Sequence, residues 1–188
     1  EVVNPVGRIY YSHGSSSYTR TALNGFAELK LLNDFRLRST LGYVIQYDEA
    51  RGYTPLYYLN SSNFTIETGV SKSMAENFYY NQDNTLTYSK SMSNYNLMAM
   101  IGNSVRKGQG TNVSASKQGL LYDDAEYAYI ANAKNQGSDS AGGGVWENAF
   151  LSYFGRVNYD YDNRYIFTGT FRADGSYRFG PNNRFGYF

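Results

Sequence analysis

Apolar and polar side chains alternate along much of this chain, most clearly in FRLRSTLGYVIQYD, residues 35–48. One side of this stretch carries large apolar residues, namely Phe35, Leu37, Leu41, Tyr43, Ile45 and Tyr47. The other side carries polar ones, namely Arg36, Arg38, Thr40, Gln46 and Asp48. A period of two indicates a β-strand with unlike faces, whereas a helix would need apolar residues three and four positions apart.

The preceding stretch, residues 20–31, repeats the alternation less strictly. Leucine, glycine and alanine occupy its odd positions from residue 23, and charged or amide side chains occupy most even ones, with Phe26 as the exception. Asn33 and Asp34 follow, and both residue types favour tight turns. The pattern therefore predicts a β-hairpin with a two-residue turn at Asn33 and Asp34.

Two further hairpins are predicted later in the chain. The middle one pairs TLTYSKS, residues 85–91, with YNLMAMIGNSVRKG, residues 95–108, through a turn near Asn94. Met98 and Met100 weaken the polar side of its second strand. The last hairpin runs from about residue 149 to 174, with its turn at Asp162 and Asn163, and aromatic residues alternate with polar and charged ones on both strands. The whole chain thus predicts about six antiparallel strands.

Connection lengths alternate between short and long. Short turns join the strands within each hairpin, whereas residues 49–82 and 111–146 separate one hairpin from the next. Each separating segment is roughly 30 residues long, well beyond ordinary loops of about 4–6 residues. The second contains NQGSDSAGGGVW, residues 135–146, whose glycine and serine content predicts a mobile surface loop.

Strand length separates two candidate fold classes. A barrel strand tilted by about 40° needs roughly a dozen residues to cross an apolar band of about 25 Å, whereas strands of soluble domains are commonly about 5–6 residues long. The predicted strands belong to the longer class, and the alternation of short turns with long loops is also typical of outer-membrane barrels. The pattern therefore favours an all-β fold, an antiparallel transmembrane β-barrel, with a soluble β-domain as the alternative.

Composition narrows the function without fixing it. The net charge is +1 and no dense basic patch occurs, so nothing indicates a nucleic-acid partner. The chain has no cysteine and no apolar run of the length, about 18 residues, that a membrane helix needs. The first residues carry neither methionine nor a signal-peptide pattern, as expected of a mature segment or a fragment.

Candidate chemistry is sparse. The one histidine, His13, lies in the serine- and glycine-rich stretch YSHGSSS, where a solvated loop side chain is expected rather than a catalytic partner of Ser12. One histidine and no cysteine exclude a metal site built from those ligands, and the acidic stretch from Asp123 to Glu126 lacks the spacing of a calcium loop. The sequence therefore predicts no enzyme activity, no catalytic or metal-binding residue and no cofactor.

The last quarter of the chain resembles a known family. ENAFLSYFGRVNYDYDNRYIFTGTFRADGSYRFGPNNRFGYF, residues 147–188, closely resembles the SusC/RagA family of TonB-dependent outer-membrane transporters. Weaker similarities occur upstream in the expected order, in NPV at residues 4–6, FRLRSTLGY at 35–43 and NLMAMIGNS at 96–104. The resemblance thus extends over essentially the whole chain and is specific in its last part.

This resemblance implies the organisation and the partners of the whole protein. It implies a barrel of about 22 strands around a plug domain, energy supplied through TonB, and a SusD-like surface lipoprotein that closes over the barrel as a lid. It also implies location in the bacterial outer membrane and import of nutrients, either oligosaccharide or peptide. Residues 1–188 are then expected to be part of the barrel domain, with the plug domain and the TonB-contacting region absent from this chain. A secreted, soluble glycan-binding module and a passive porin are the alternatives.

In a barrel, the two faces of each strand meet different surroundings. The face expected to meet lipid carries Leu37, Leu41, Tyr43, Tyr153, Val157, Phe167 and Phe171. The face expected to meet the polar lumen carries Arg36, Arg38, Arg156, Asn158 and Arg172. An arginine on the lipid side near the bilayer midplane would cost about 2–4 kcal/mol, so the assignment of faces has an energetic basis.

The long segments carry clusters of tyrosine, whose ring and hydroxyl group suit contacts with sugars and with protein partners. Four of these residues are predicted to contact the cargo or the lipoprotein lid: Tyr57, Tyr58, Tyr127 and Tyr129. Packing of the loops against one another is the alternative role for these rings. Outer-membrane barrels keep their short turns at the periplasmic rim, so both long segments are expected outside the cell.

Overall fold

The computed structural model describes residues 5–11, 13–180 and 182–188, and strands dominate it. Asn4 of the NPV stretch and Ser12 lie outside the described residues. The described chain begins with a short helix, α1 (Pro5–Tyr10), and two 3-10 helices, Ala125–Tyr127 and Ile130–Asn132, occur later. The strands are β1 (His13–Leu31), β2 (Phe35–Thr54), β3 (Tyr57–Asn60), β4 (Asn63–Thr65), β5 (Gly69–Ser91), β6 (Tyr95–Leu120), β7 (Ala133–Tyr161), β8 (Tyr165–Ser176) and β9 (Phe185–Tyr187).

Seven of these strands form one sheet in the order β1-β2-β5-β6-β7-β8-β9, and β3 pairs with β4 in a separate two-stranded sheet. The pairs β7–β8 and β8–β9 are antiparallel. Neighbours in the large sheet follow chain order once β3 and β4 are set aside, which is the connectivity of up-and-down barrels. The all-β antiparallel prediction is confirmed, and its count of about six strands falls one short of the seven in the sheet.

Residue contacts divide the chain into two compact units. Unit 1 contains Gln46–Glu76, Gly110–Val145 and the described part of Glu1–Arg20. Unit 2 contains Thr21–Ile45, Asn77–Gln109 and the described part of Trp146–Phe188. All three predicted short turns fall in unit 2, and most of each predicted long connection falls in unit 1.

The two long connections are shorter than the sequence indicates. β2 continues to Thr54 and β5 begins at Gly69, so the connection occupies only residues 55–68 of the predicted 49–82. β6 likewise continues to Leu120 and β7 begins at Ala133, so residues 121–132 remain of the predicted 111–146. The strands extend beyond the alternating pattern because backbone pairing with a neighbouring strand needs no apolar face.

The mobile loop predicted for NQGSDSAGGGVW is wrong, because these residues belong to β7. One glycine of the stretch has a packing reason. A β-carbon on Gly143 would lie 2.6 Å from the backbone oxygen of Asn112 on β6, so only glycine allows this close approach of the two chains. Glycine content alone therefore did not distinguish a flexible loop from a closely packed strand.

The hairpin turns lie where predicted, with a shift of one residue in the first. Asp162 and Asn163 have φ angles of 55° and 48°, as expected when both central residues of a hairpin turn are left-handed. In the first hairpin the left-handed residues are Leu32, at 49°, and Asn33, at 59°. The prediction of a turn centred on Asn33 and Asp34 is therefore wrong by one position.

Asp34, the third residue of this turn, is held by the neighbouring strand β5. Its carboxylate accepts a hydrogen bond from the Lys90 ammonium group at 2.7 Å. Its backbone oxygen accepts the N–H of Ser89 at 2.8 Å. These two bonds tie the first turn to residues 89 and 90, about 55 positions further along the chain.

The register between β7 and β8 separates two faces. Arg156 lies opposite Thr170, whereas Val157 lies opposite Gly169. Directly opposed residues point to the same side of a sheet. One face therefore carries Arg156, Asn158 and Arg172, and the other carries Tyr153, Val157, Phe167 and Phe171. The separation agrees with the alternation in the sequence, and which face meets lipid stays a prediction.

Few apolar side chains are buried. Among the described residues the buried hydrophobic ones are Tyr53, Val70, Ala128, Ala133 and Ala173, and the first four form a cluster in unit 1. The side chains assigned to lipid are all exposed: Leu37, Leu41, Tyr43, Tyr153, Val157, Phe167 and Phe171. A contiguous apolar face of this size is typical of a surface that meets a membrane or another protein. No helix among the described residues is long and apolar enough to cross a membrane.

Candidate ligand-contact site

The carboxylate of Asp123 joins the two long connections of unit 1. The Tyr53 hydroxyl donates a hydrogen bond to Asp123 Oδ1 at 2.6 Å. The backbone N–H of Leu56 donates to the same carboxylate, at 3.1 Å from Oδ1 and 3.3 Å from Oδ2. Tyr53 lies near the end of β2, Leu56 lies in the first connection and Asp123 lies in the second. One acidic side chain therefore links the two connections.

Tyr53 is also part of the buried apolar cluster of unit 1. Its side chain is only 9% exposed and packs with Val70, Ala128 and Ala133. Burial raises the pKa of the Tyr53 phenol, and the hydrogen bond to Asp123 raises it further. The hydroxyl therefore stays protonated at neutral pH and remains a donor to Asp123.

Arg51, on β2, makes two further contacts with the second connection. Its Nη2 donates to the backbone oxygen of Ala128 at 3.3 Å. Its guanidinium lies over the Tyr129 ring, 4.9 Å from the ring centroid, within the range of a cation–π contact. The backbone and one aromatic side chain of residues 121–132 are thus both fixed by β2.

Thr68 joins the ends of the two connections. Its backbone oxygen accepts the N–H of Gly119 at 2.8 Å, and its hydroxyl oxygen accepts the N–H of Leu120 at 2.7 Å. Gly119 has a φ of 78°, a conformation that glycine adopts without a steric penalty. The last residues of β6 can therefore turn toward Thr68, and both connections leave the sheet from fixed positions.

Residues of unit 1 enclose an open cavity of about 990 Å³, near the upper end of the volumes typical of small-molecule sites. Four aromatic residues line it: Tyr11, His13, Tyr53 and Tyr57. Tyr11 and Tyr57 stack with their ring centroids 5.1 Å apart and an interplanar angle of 19°. His13 and Tyr53 lie 5.6 Å apart at 33°. These four rings make up the aromatic part of the lining, which we call the aromatic wall.

The remaining lining is mostly polar and uncharged. It includes the side chains of Thr54, Ser71, Ser116 and Gln118. The described lining contains no carboxylate, and its one fixed positive charge, on Lys117, is paired with Asp139 outside the cavity at 3.1 Å. The cavity therefore offers aromatic surface and neutral hydrogen-bonding groups rather than a net charge.

The structure places the four predicted contact tyrosines in different settings. Tyr57 is half-buried, lines the cavity and donates its hydroxyl hydrogen to Asn63 at 3.2 Å. Tyr58 is 71% exposed and packs against Phe64 instead. Tyr127 and Tyr129 are exposed on the second connection. Unit 1 therefore brings one of the four into the cavity and leaves three on its surface.

His13 and Tyr53 were not predicted as site residues. The loop assigned to His13 is wrong, because this residue begins β1, although its side chain is exposed as expected. The contact between His13 and Tyr53 depends on the alignment of β1 with the end of β2. Nothing in the short stretch around either residue signals this alignment.

The carboxylates of the acidic stretch make local hydrogen bonds within unit 1. Asp123 is occupied by Tyr53 and Leu56, and the Asp124 carboxylate accepts the N–H of Glu126 at 2.9 Å, where it caps a 3-10 helix. Within the part of the chain that the structure describes, no group of three or more histidine, cysteine or acidic side chains converges on one point.

The side chains predicted to face the lumen carry local ion pairs and hydrogen bonds in unit 2. Arg36 and Arg38 lie 3.5 Å and 3.8 Å from the carboxylate of Glu28. Arg156 Nε donates to Asn158 Oδ1 at 3.2 Å. Arg172 Nε donates to both oxygens of Asp174, each at 2.8 Å. These contacts hold the charged groups along the sheet surface, where a polar environment is needed to solvate them.

Comparison by sequence finds several relatives, although no family model matches the chain. TonB-dependent receptor P3 of Formosa agariphila is 28% identical over 171 residues, which cover 88% of this chain and 16% of that protein. TonB-dependent receptor P39 of the same organism is 22% identical over 189 residues, covering 98% and 18%. TonB-dependent receptor SusC of Bacteroides thetaiotaomicron is 58% identical over 41 residues, which cover 22% of this chain and 4% of SusC.

Comparison with solved structures agrees with the similarity found by sequence. The RagAB peptide importer in its open-open state matches with a TM-score of 0.84 and 26% identity, over 96% of this chain and 20% of the RagAB chain. The closed-closed state matches with a TM-score of 0.82 and 25% identity, over 95% and 20%. This chain thus spans a fifth or less of the length of the proteins that it matches.

The sheet connectivity and these similarities together define the class, an outer-membrane β-barrel, of which the described sheet is a part. Within that class the chain is a SusC/RagA-like barrel segment, similar in sequence to parts of several TonB-dependent receptors and in structure to part of the RagAB peptide importer. The expected location in the bacterial outer membrane is confirmed by the same similarities. The names of the relatives describe receptors and importers, not enzymes.

Proposed function

We propose that this chain forms part of the barrel of a TonB-dependent outer-membrane importer of nutrients, either oligosaccharide or peptide. The observation that carries the proposal is the match of 96% of the chain to the RagAB peptide importer with a TM-score of 0.84. Residues 1–188 then belong to the barrel domain, and the plug domain and the TonB-contacting region belong to other parts of the protein.

The polar face of the sheet then lines the lumen and the aromatic face meets lipid. The separation of Arg156, Asn158 and Arg172 from Val157 and Phe171 by strand register supports this arrangement. Arg36 and Arg38 belong to the lumen face by the same alternation along β2. A barrel satisfies every backbone group inside the bilayer, so only the side chains need to match their surroundings.

Unit 1 then lies outside the cell and contacts a SusD-like lipoprotein lid and the cargo. Its two connections are held together by Asp123 and Arg51, so they present a defined surface. Three tyrosines on that surface are exposed and suited to protein or sugar contacts: Tyr58, Tyr127 and Tyr129. Tyr57 contributes from the cavity side.

Replacing residues 57–65 and residues 124–130 of the complete transporter by short glycine–serine linkers tests this role. The barrel should still assemble in the outer membrane, because the sheet of unit 2 is untouched, whereas lid association and cargo uptake should fall. Co-purification of the lipoprotein and growth on the cargo measure the two effects. As a matched control, Asp162 and Asn163 in the short turn between β7 and β8 are replaced by two glycines. Normal lid binding and growth after both loop replacements would show that the connections contribute to neither lid binding nor cargo uptake.

Two further measurements separate the importer from its alternatives. A passive porin shares the barrel but transports without TonB, so uptake that persists in a TonB-deficient strain would favour it. A secreted soluble module would leave the apolar face of unit 2 in water, which is unfavourable for a face that includes Leu41, Phe167 and Phe171. Recovery of the protein from the culture medium rather than from membranes would favour that module.

A further inference from the structure

We propose that the cavity in unit 1 is a binding subsite for a neutral oligosaccharide. The inference rests on the proposed importer function for its biological role, because the subsite would receive the cargo of that importer. Its physical basis is independent of that function and lies in three properties of the cavity, namely its aromatic wall, its fixed position and its lack of net charge.

The aromatic wall suits the apolar faces of sugar rings. The stacked pair Tyr11–Tyr57 and the tilted pair His13–Tyr53 place four rings along the cavity. A sugar ring combines an apolar face of C–H groups with hydroxyls at its edge, and tyrosine offers an apolar ring with a polar end in the same way. Several neighbouring rings fit a chain of sugar units better than a single small molecule.

The wall is held in place before any ligand arrives. Tyr53 is buried, and its hydroxyl is bonded to Asp123 at 2.6 Å. The Tyr57 hydroxyl is bonded to Asn63 at 3.2 Å across the β3–β4 pair. A ligand therefore does not have to order these two rings, which lowers the entropic cost of binding.

The polar lining favours a neutral ligand over a charged one. Hydroxyl and amide groups of Thr54, Ser71, Ser116 and Gln118 can donate and accept hydrogen bonds to sugar hydroxyls. Lys117 is neutralised by Asp139, and no carboxylate lies in the described lining. A peptide with free termini or charged side chains would lose hydration here without gaining a counter-charge. The cavity thus favours a neutral oligosaccharide over a peptide.

Calorimetry on the complete, detergent-purified transporter tests the proposal. The probes are short neutral gluco-, manno-, xylo- and galacto-oligosaccharides and, in parallel, short peptides of mixed charge. Tyr57→Ala removes one ring of the wall, and Ser116→Trp fills the cavity from β6 without removing a contact of the connections. Tyr18→Ala is the matched control, since Tyr18 is 72% exposed on β1 in the same unit and does not line the cavity.

We expect at least one neutral oligosaccharide to bind the wild type, and both cavity variants to weaken its binding by about tenfold or more, while the control stays within about twofold. No binding of any neutral oligosaccharide, or equal binding by wild type and both cavity variants, would overturn the proposal. Peptide binding that the same two variants weaken would also overturn it, because the cavity would then be a peptide subsite.

Uptake measurements keep this proposal separate from the importer function. A transporter that imports its cargo in a TonB-dependent way, with unchanged binding and uptake in both cavity variants, refutes the subsite alone. A wild type without TonB-dependent uptake refutes the importer function, and the calorimetric comparison still decides whether the cavity binds sugar.

Discussion

Phe26 is an aromatic residue on the polar face of β1. The Arg38 guanidinium lies 4.3 Å from the centroid of its ring, and the Arg38 side chain also approaches the carboxylate of Glu28. A cation over an aromatic face is favourable, so the ring serves as a partner for the charged group. The sequence shows the exception, but its partner depends on the alignment of β1 with β2.

Phe154 is a second aromatic residue among polar neighbours, and Gly102 makes room for it. A β-carbon on Gly102 would lie 2.7 Å from two carbons of the Phe154 ring and 2.7 Å from the backbone oxygen of Asn84. The ring of a side chain could shift, but the backbone oxygen of a paired strand could not. Glycine at position 102 is therefore required by the packing of β5, β6 and β7.

Gly102→Ala should destabilise the barrel by about 1–3 kcal/mol, because the added methyl group overpacks a site with no free space. Gly155→Ala is the control, since the nearest atom to its β-carbon, the backbone oxygen of Met100, lies at an ordinary 3.6 Å. Thermal unfolding of the complete barrel, followed by the change in electrophoretic mobility, measures the difference. Equal melting temperatures for the two variants would contradict the packing argument.

The Tyr53 phenol predicts a pH dependence of the loop structure. Its folded pKa is raised, mainly by burial and also by Asp123, above the ordinary value of about 10. The stability that the protonated Tyr53 phenol contributes is therefore complete below about pH 10 and is lost as the pH rises through the folded pKa. Hydrogen exchange of residues 121–132 should lose protection above about pH 10 in the wild type. Tyr53→Phe should start with lower protection and show less of this decline, and parallel curves would contradict the assignment.

At the scale of elements, the first hairpin shows where local sequence signals stop. Asparagine and aspartate correctly indicate a turn, and strict alternation correctly indicates the strands on either side. The exact turn residues were not predictable, because Asp34 is fixed by Lys90 and Ser89, about 55 residues further along the chain. Leucine is not a typical turn residue, so the sequence did not signal the left-handed conformation of Leu32.

Leu32→Gly should therefore stabilise the hairpin, by about 0.5–1 kcal/mol, because glycine adopts a positive φ without steric cost. Asn163→Gly is the matched control at the other left-handed turn, where asparagine already tolerates the conformation and little change is expected. Urea unfolding of the complete barrel compares the two. A loss of stability in Leu32→Gly would mean that the leucine side chain makes a contact that outweighs its backbone strain.

The assignment of faces along β2 predicts opposite labelling of Arg38 and Tyr43, which lie five positions apart on the strand. Tyr43→Cys should react with a lipid-soluble maleimide and Arg38→Cys with a water-soluble one, because odd and even positions of a strand point to opposite sides. The chain has no native cysteine, so each introduced thiol is the only reactive one in this segment. Labelling of both positions by the same reagent would refute the barrel interpretation of these faces.

For the whole molecule, alternation predicted the class of fold because it is a local property, clearest on β2 and on the β7–β8 hairpin. The structure of unit 1 was harder to predict from the sequence. Its strands include the glycine-rich stretch 135–146, and its cavity depends on residues such as His13 and Tyr53 that lie 40 positions apart. The chemistry of Tyr57 as a contact residue could be proposed from sequence, whereas its neighbours in the cavity required the register of several strands.

The 188 residues are predicted not to fold alone. The sheet ends at β1 and β9, and its apolar face is exposed, so the isolated polypeptide would present two strand edges and a large apolar surface to water. Purified without detergent, it should aggregate, as measured by light scattering and by the lack of a cooperative melting transition. A cooperative, detergent-free melt of a monomer would favour the soluble-module alternative.

The shared carboxylate of Asp123 has a consequence for how such proteins exchange parts. Its donors, Tyr53 and Leu56, lie 70 and 67 positions earlier in the chain. Transplanting the second connection alone into another barrel leaves a carboxylate without its donors, and transplanting the first alone leaves a buried phenol without its acceptor. Residues 51–68 and 119–133 should therefore be moved together in any chimera, with the junctions placed outside both segments.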